Sequence, residues 1–164
     1  MWLLLKSFGD AFKKFDLYVK SDSMKKLFAD VGTDVVIMSP PCTPYGNCSR
    51  FNRQHHHQTW IESRRNFDPI SSLCGEVALY QLSIHRDFLI EQPQGSELFL
   101  IEPWPRVGRN LRVKKWTFDQ CMFGLRSPAG VEPQEIWKKR TCVLTNIPGL
   151  ASLSKNCDHS HVHT

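Results

Sequence analysis

Val35-Val36-Ile37-Met38-Ser39-Pro40-Pro41-Cys42 is the stretch whose reading decides the fold. Its four apolar residues are continuous and β-rich, which predicts a short strand buried on both faces. Pro40-Pro41 must end that strand, because proline has no N–H to give to a ladder. The chain therefore leaves the strand on a stiff turn that carries a thiol.

Downstream, Leu73, Val77, Tyr80 and Ile84 recur at helical spacing, and Phe88-Leu89-Ile90 follows as a second apolar run. Strand, connection, helix, strand is the order of a βαβ unit and predicts a parallel sheet. Between Pro40 and Ser72 the sequence is polar and aromatic without a clean period, and predicts a long loop with at most a short helix. Two further strands are expected near Trp116–Met122 and Thr141–Thr145. Upstream, Leu4, Phe8, Phe12 and Phe15 form the apolar stripe of a first helix, weakened by Gly9. Ser23–Asp30 reads as a second helix, with Asp22 as its cap and Gly32 at its end. We assign 1–150 to one α/β domain, and 151–164 to a polar, His-rich tail expected to fray.

The 164 residues, 41% apolar and 23% charged, suit a globular domain with a real core. They exclude a disordered acidic chain, a collagen-like repeat and a disulfide-dense mini-protein. Met1 to Leu5 is too short an apolar run for a signal core or a membrane span. Six cysteines without a secretory signal predict intracellular thiols and no membrane partner, with a nuclear location if the source is eukaryotic. Net charge is +5, and Trp104 to Arg140 alone holds nine basic residues against three acidic ones. Lys114, Lys115, Lys138 and Lys139 lie there with Trp104, Trp116 and Trp137 interleaved. Cations for phosphates and rings for bases make a nucleic-acid surface the expected use of this third, against a plain solvated face.

In an open parallel sheet, ligands bind beyond the carboxyl ends of the strands. There the first predicted strand ends in Ser39-Pro40-Pro41-Cys42 and the second in Glu91-Gln92-Pro93, so a thiol and a carboxylate should face one crevice. Cys42 is a candidate nucleophile and Glu91 a candidate acid or hydrogen-bonding group, rather than a small buried hydrophobe and a surface ion. A cysteine-phosphatase loop is excluded by spacing: the sixth position after Cys42 is Cys48, and Arg50 comes two later.

Ser39-Pro40-Pro41-Cys42 after an apolar strand resembles the catalytic Pro-Cys motif of the C5-cytosine DNA methyltransferases. Glu91-Gln92-Pro93 is similar to their glutamate motif, usually Glu-Asn-Val. Cys121-Met122-Phe123-Gly124-Leu125, followed by Lys138-Lys139-Arg140-Thr141 and a strand, is similar to their later basic motif. The three stand in the family's order across 34–146. The variant is closest in character to divergent methyltransferase-like segments of mobile-element-type polyproteins. The resemblance implies a Rossmann-like methyltransferase fold. It also implies Cys42 as nucleophile toward C6 of a flipped cytosine, Glu91 on N3, Arg140 with Lys139 on the nucleotide, and Ser39, Pro40 and Pro41 beside the cofactor, S-adenosylmethionine. DNA is the implied partner, with RNA open.

The chain departs from the family in four places, one of them around Thr43-Pro44-Tyr45-Gly46, where the family's usual Gln and Ser are replaced. Ser7-Phe8-Gly9-Asp10 has one glycine where the family's cofactor turn has two or three, so the fold is expected to be incomplete at its N-terminal, cofactor-binding half. Gln92 and Pro93 replace Asn and Val, and no target-recognition domain follows. A second chain or a larger polyprotein would then supply the missing half. The alternative is a non-catalytic nucleic-acid-binding remnant of the fold.

Cys157, His159, His161 and His163 crowd the tail. In a strand, alternating histidines point to opposite sides and cannot share one ion. A loop could join Cys157, two of them, and Cys121 or Cys142 as a zinc site. The expectation is instead a His-rich end that takes up metal adventitiously, with zinc not a cofactor. His55-His56-His57 is weaker still, because consecutive side chains diverge.

Overall fold

The computed structural model describes residues 3–5, 32–126 and 136–163. The helices expected at Phe8–Phe15 and Ser23–Asp30 lie outside these residues. The fold is mixed α/β, with strands β1 (Leu3–Leu5), β2 (Val35–Met38), β3 (Asp87–Pro93), β4 (Lys114–Asp119) and β5 (Arg140–Thr145) in one sheet of order β1-β2-β3-β5-β4. Leu4, expected at the head of the first helix, lies instead in β1, whose backbone pairs antiparallel with β2.

β2 and β3 are parallel neighbours, with Met38 opposite Ile90. Val36, Met38, Phe88 and Ile90 are completely buried between them and the covering helices. Each such side chain contributes on the order of 1.5–3 kcal/mol. The parallel register stops there. β5 pairs antiparallel with both β3 and β4. The expected parallel sheet is thus confined to the βαβ unit. The described part of the β4–β5 connection holds a 3-10 turn (Gln120–Phe123) and no crossover helix, so the chain returns antiparallel.

The crossover from β2 to β3 departs most from expectation. The stretch read as a long loop is mostly helical: α1 spans Cys48–His55 and α2 spans His57–Ser83. Periodicity missed the first half of α2 because its inward stripe is polar and aromatic. Trp60, Arg64, Asp68 and Ser71 follow one face: Trp60 bonds Ser49 of α1, Arg64 bonds Asp68, and Asp68 and Ser71 both bond Tyr45 of the turn after β2. Pro69 lies inside α2, where sequence rules predict a break. Gly75, also inside α2, lets the Pro103–Trp104 corner approach: a Cβ at Gly75 would sit 2.6 Å from Pro103 Cγ. Trp104 opens the short helix α3 (Trp104–Gly108), is 1% exposed, and donates its indole N–H to the Ser71 carbonyl at 3.0 Å.

Asn146, just past β5, ties the sheet together at the other end. It accepts from the Phe88 amide and donates to the Arg86 carbonyl and the Asp87 carboxylate. The described residues of the tail, expected to fray, bond the sheet edge. Asp119 N donates to Lys155 O, Ser154 Oγ to Thr117 O, and His163 bridges Ile136 by backbone pairing. Among the described residues, no helix is long and apolar enough to cross a membrane.

Candidate nucleobase cleft and Cys/His cluster

Parallel pairing brings the carboxyl ends of β2 and β3 side by side, and a cavity of about 610 Å³ opens there. Its walls come from four places. The turn after β2 gives Cys42, Thr43, Gly46 and Asn47; α1 gives Cys48 and Asn52; the end of β3 gives Pro93 and Gln94; and the approach to β5 gives Lys138, Lys139 and Arg140. The last group arrives because β5 runs antiparallel to β3, so its basic entry stands beside the exit of β3.

The Cys42 turn is held by hydrogen bonds from every side. The Cys42 carbonyl accepts from the amides of Tyr45 and Gly46 at 2.9 and 2.8 Å. Tyr45 is fully buried; its hydroxyl donates to Asp68 at 2.7 Å and accepts from Ser71 at 2.9 Å. Burial, together with the Asp68 carboxylate, pushes the phenol well above its ordinary pKa, so it remains a donor. Trp60 donates to Ser49 Oγ, which donates to the Pro44 carbonyl. Gln92, the residue that departs from the methyltransferase pattern, is 1% exposed and bridges the two strand ends. Its Nε2 donates to the Pro40 carbonyl at 2.8 Å, and its Oε1 accepts from Ser96 Oγ at 3.0 Å. Its long amide reaches where a shorter Asn would not. Tyr45, Asp68, Ser71 and Gln92 escaped sequence reasoning; the helical spacing of Trp60, Arg64, Asp68 and Ser71 was the signal available.

Cys42 is half-buried on the cavity wall. Glu91, one residue past the Met38–Ile90 pair, is not part of the cavity lining and is linked to it through Lys139, which is. Its Oε1 is buried without a hydrogen-bond partner and has Lys139 Nζ at 3.7 Å. Arg140, expected on the nucleotide, lines the cavity and also bonds Asn156 Oδ1 at 2.8 Å and faces Asp119 Oδ1 at 3.9 Å, while Lys139 is the cation on Glu91.

The basic stretch divides. Lys138 and Lys139 line the cavity, whereas Lys114 and Lys115 begin β4, opposite Thr145 and Leu144 at the far end of β5. Five strand residues put them roughly 17 Å away. Lys115 stands over the Phe99 ring and Arg112 donates to the Leu82 carbonyl. Of the three tryptophans, Trp104 is core, while Trp137, 42% exposed, stands next to Lys138.

The described residues do not fit S-adenosylmethionine. Ser39, Pro40 and Pro41 lie outside the cavity lining, and the Pro40 carbonyl is already taken by Gln92. β1 ends at Leu5 opposite Val36, at the amino end of β2 and away from Cys42. A cofactor turn must leave its strand at the same end as the reacting groups.

A second group of reactive side chains lies beyond the basic rim. Cys121, Cys157, His161 and His163 bring one ligand atom each within 4.8 Å of all the others. Burial pushes the Cys121 thiol up, as does its hydrogen bond with Cys157. His159 is not among the four and Cys142 is buried in β5. His55, His56 and His57 form no such group among the described residues. Compared with known proteins, the chain matches no family model, no curated protein and no solved structure.

Proposed function

We propose that this chain is a C5-cytosine-methyltransferase-type domain that takes an extruded cytosine of nucleic acid into the cleft, with Cys42 as the nucleophile. The carrying observation is that Cys42 and Lys139 line one cavity, and that Lys139 stands 3.7 Å from Glu91 Oε1, a buried carboxylate oxygen without a hydrogen-bond donor. A protonated cytosine N3 is a donor of the kind that oxygen lacks. Lys138 and Lys139 meet the phosphates of the flipped nucleotide, and Trp137 offers a stacking face at the mouth.

The Cys42 thiolate forms a bond to C6, the C5–C6 double bond breaks, and its electron pair moves to C5. Glu91 holds the N3 proton while the ring carries this charge. C5 then takes a proton from water. Elimination of the thiolate with loss of a C5 proton restores the base, so the net result is exchange of the C5 hydrogen with solvent. No methyl transfer is derived, since the described residues do not cradle the methyl donor.

The test is release of tritium from C5 of cytosine in DNA carrying an unpaired cytosine. Release that disappears in Cys42→Ala supports the reading, and release that persists in that variant removes Cys42 as nucleophile. A second reading, favoured by the basic residues Lys138, Lys139 and Arg140 on the cavity wall, is a non-catalytic nucleic-acid-binding remnant. It predicts no tritium release, with salt-dependent DNA binding that Cys42→Ala leaves unchanged and whose salt slope falls by about 1 in Lys138→Ala.

A further inference from the structure

We propose that Cys121, Cys157, His161 and His163 form a structural zinc site that staples the C-terminal tail across the end of β4 and fixes the basic rim of the cleft.

The geometry carries this. Cys157 Sγ lies 3.7 Å from His161 Nε2 and 3.5 Å from His163 Nε2. Zinc at about 2.3 Å from sulfur and 2.0–2.1 Å from nitrogen, with tetrahedral angles, requires S···N edges of about 3.5–3.6 Å. Two thiols and two imidazoles that complete a tetrahedron suit zinc over hard cations, and leave no open position for substrate. Nothing in chain order forces this meeting: Cys121 comes from the 3-10 turn after β4, the other three from the tail, 36 residues and more beyond it.

Local backbone chemistry makes the meeting possible. His159 adopts a left-handed φ of 58° and turns the chain, so His161 and His163 return toward Cys157 instead of alternating across a strand. Its own amide donates to Cys157 Sγ at 3.4 Å and holds the sulfur inside the turn. Asp158 accepts from the Ser160 amide and closes the turn. His163 is anchored by backbone pairing to Ile136.

The cluster is wired to the cleft through Asp119, which is 2% exposed. Its Oδ2 accepts from the Cys157 amide at 2.8 Å, and its Oδ1 faces Arg140, which also bonds Asn156 of the tail. Residues 151–163 contribute no side chain to the main core. A polar segment with so little apolar burial is where a metal cross-link holds most.

The experiment is cobalt(II) titration of the untagged, chelator-treated chain, read by visible absorption, alongside zinc analysis of the chain as purified. The expected result is one metal per chain, with the intense bands of tetrahedral cobalt and a thiolate-to-cobalt charge-transfer band. Cys121→Ser and Cys157→Ser should each weaken that band, and His159→Ala and Cys142→Ala should leave it unchanged. Metal should also slow exchange of the Asp119 and Cys157 amides. Weak six-coordinate bands from the wild-type chain, an unaltered spectrum in Cys121→Ser, a loss in His159→Ala as large as in Cys157→Ser, or amide exchange indifferent to metal would each overturn the proposal. The wild-type titration stands even if a cysteine variant does not fold. None of these readouts depends on the cleft binding nucleic acid.

Discussion

The β2–β3 half of the sheet and the β4–β5 half both hold a cavity-lining segment at the same end, and they hold it by different means. The Cys42 turn is fixed by a closed set of buried hydrogen bonds from Gln92, Tyr45 and Ser49, backed by α2 and the apolar core. The Lys139–Arg140 rim is fixed by Asp119 and the tail, whose four ligand-type side chains come together with little apolar burial. A loop over a core can be secured by side-chain amides and hydroxyls, because the core supplies the stability and the polar bonds only specify geometry. A tail over a sheet edge has no such reserve and needs a cross-link.

The sharpest way to break this contrast is to remove what both halves share. Phe88 is buried in β3, between β2 and β5. Phe88→Ala should cost about 3–5 kcal/mol in urea unfolding, with both halves lost in one transition. Two separated transitions would show that the halves are independent. Gln92→Leu should come next, at about 1–3 kcal/mol, because it leaves the Pro40 carbonyl and the Ser96 hydroxyl buried without their partner. It should speed alkylation of Cys42 and leave metal uptake unchanged, which separates the two ends of the sheet. Tyr45→Phe should cost about 1 kcal/mol, the usual net value of a buried hydrogen bond, by denaturant midpoint at constant slope.

The smallest effect concerns pH. Burial pushes the Cys74 thiol, on α2 over β2 and β3, up from 9.0 to about 12. The folded state prefers the neutral thiol, so its contribution is full below pH 9 and is lost as pH rises through 12. Near pH 10 a thiol reagent should label exposed Cys48 within the folded chain and spare Cys74 until unfolding, as peptide mapping would reveal.

Legibility followed the apolar pattern. The runs Val35–Met38 and Phe88–Ile90 are strands and β5 falls at its expected place, because buried strands must be continuously apolar or alternate, whereas β4, which is mostly unburied, starts two residues early and ends at Asp119, with Gln120–Phe123 a 3-10 turn and not strand. Leu73–Ile84 was readable as helix for the same reason. The half of α2 from His57 to Ser72 was not, since its inward face is built from Trp60, Arg64, Asp68 and Ser71, and its Pro69 mimics a stop signal. At the cleft, Cys42 and Glu91 were legible as strand-end residues. Gln92 looked like a lapse from a family pattern until its two buried bonds were seen.

The sequence by itself determined the βαβ unit and which side chains stand at the carboxyl ends of its two strands, because these depend on local periodicity and on where prolines stop strands. Only the tertiary structure decided which distant groups meet. It turned Arg140 toward Asp119 and Asn156, left Lys139 on Glu91, divided the basic stretch between the two ends of β4 and β5, and chose Cys121 over Cys142 beside Cys157, His161 and His163. Strand register and the left-handed turn at His159 set those meetings, and both are fixed only when the chain is packed.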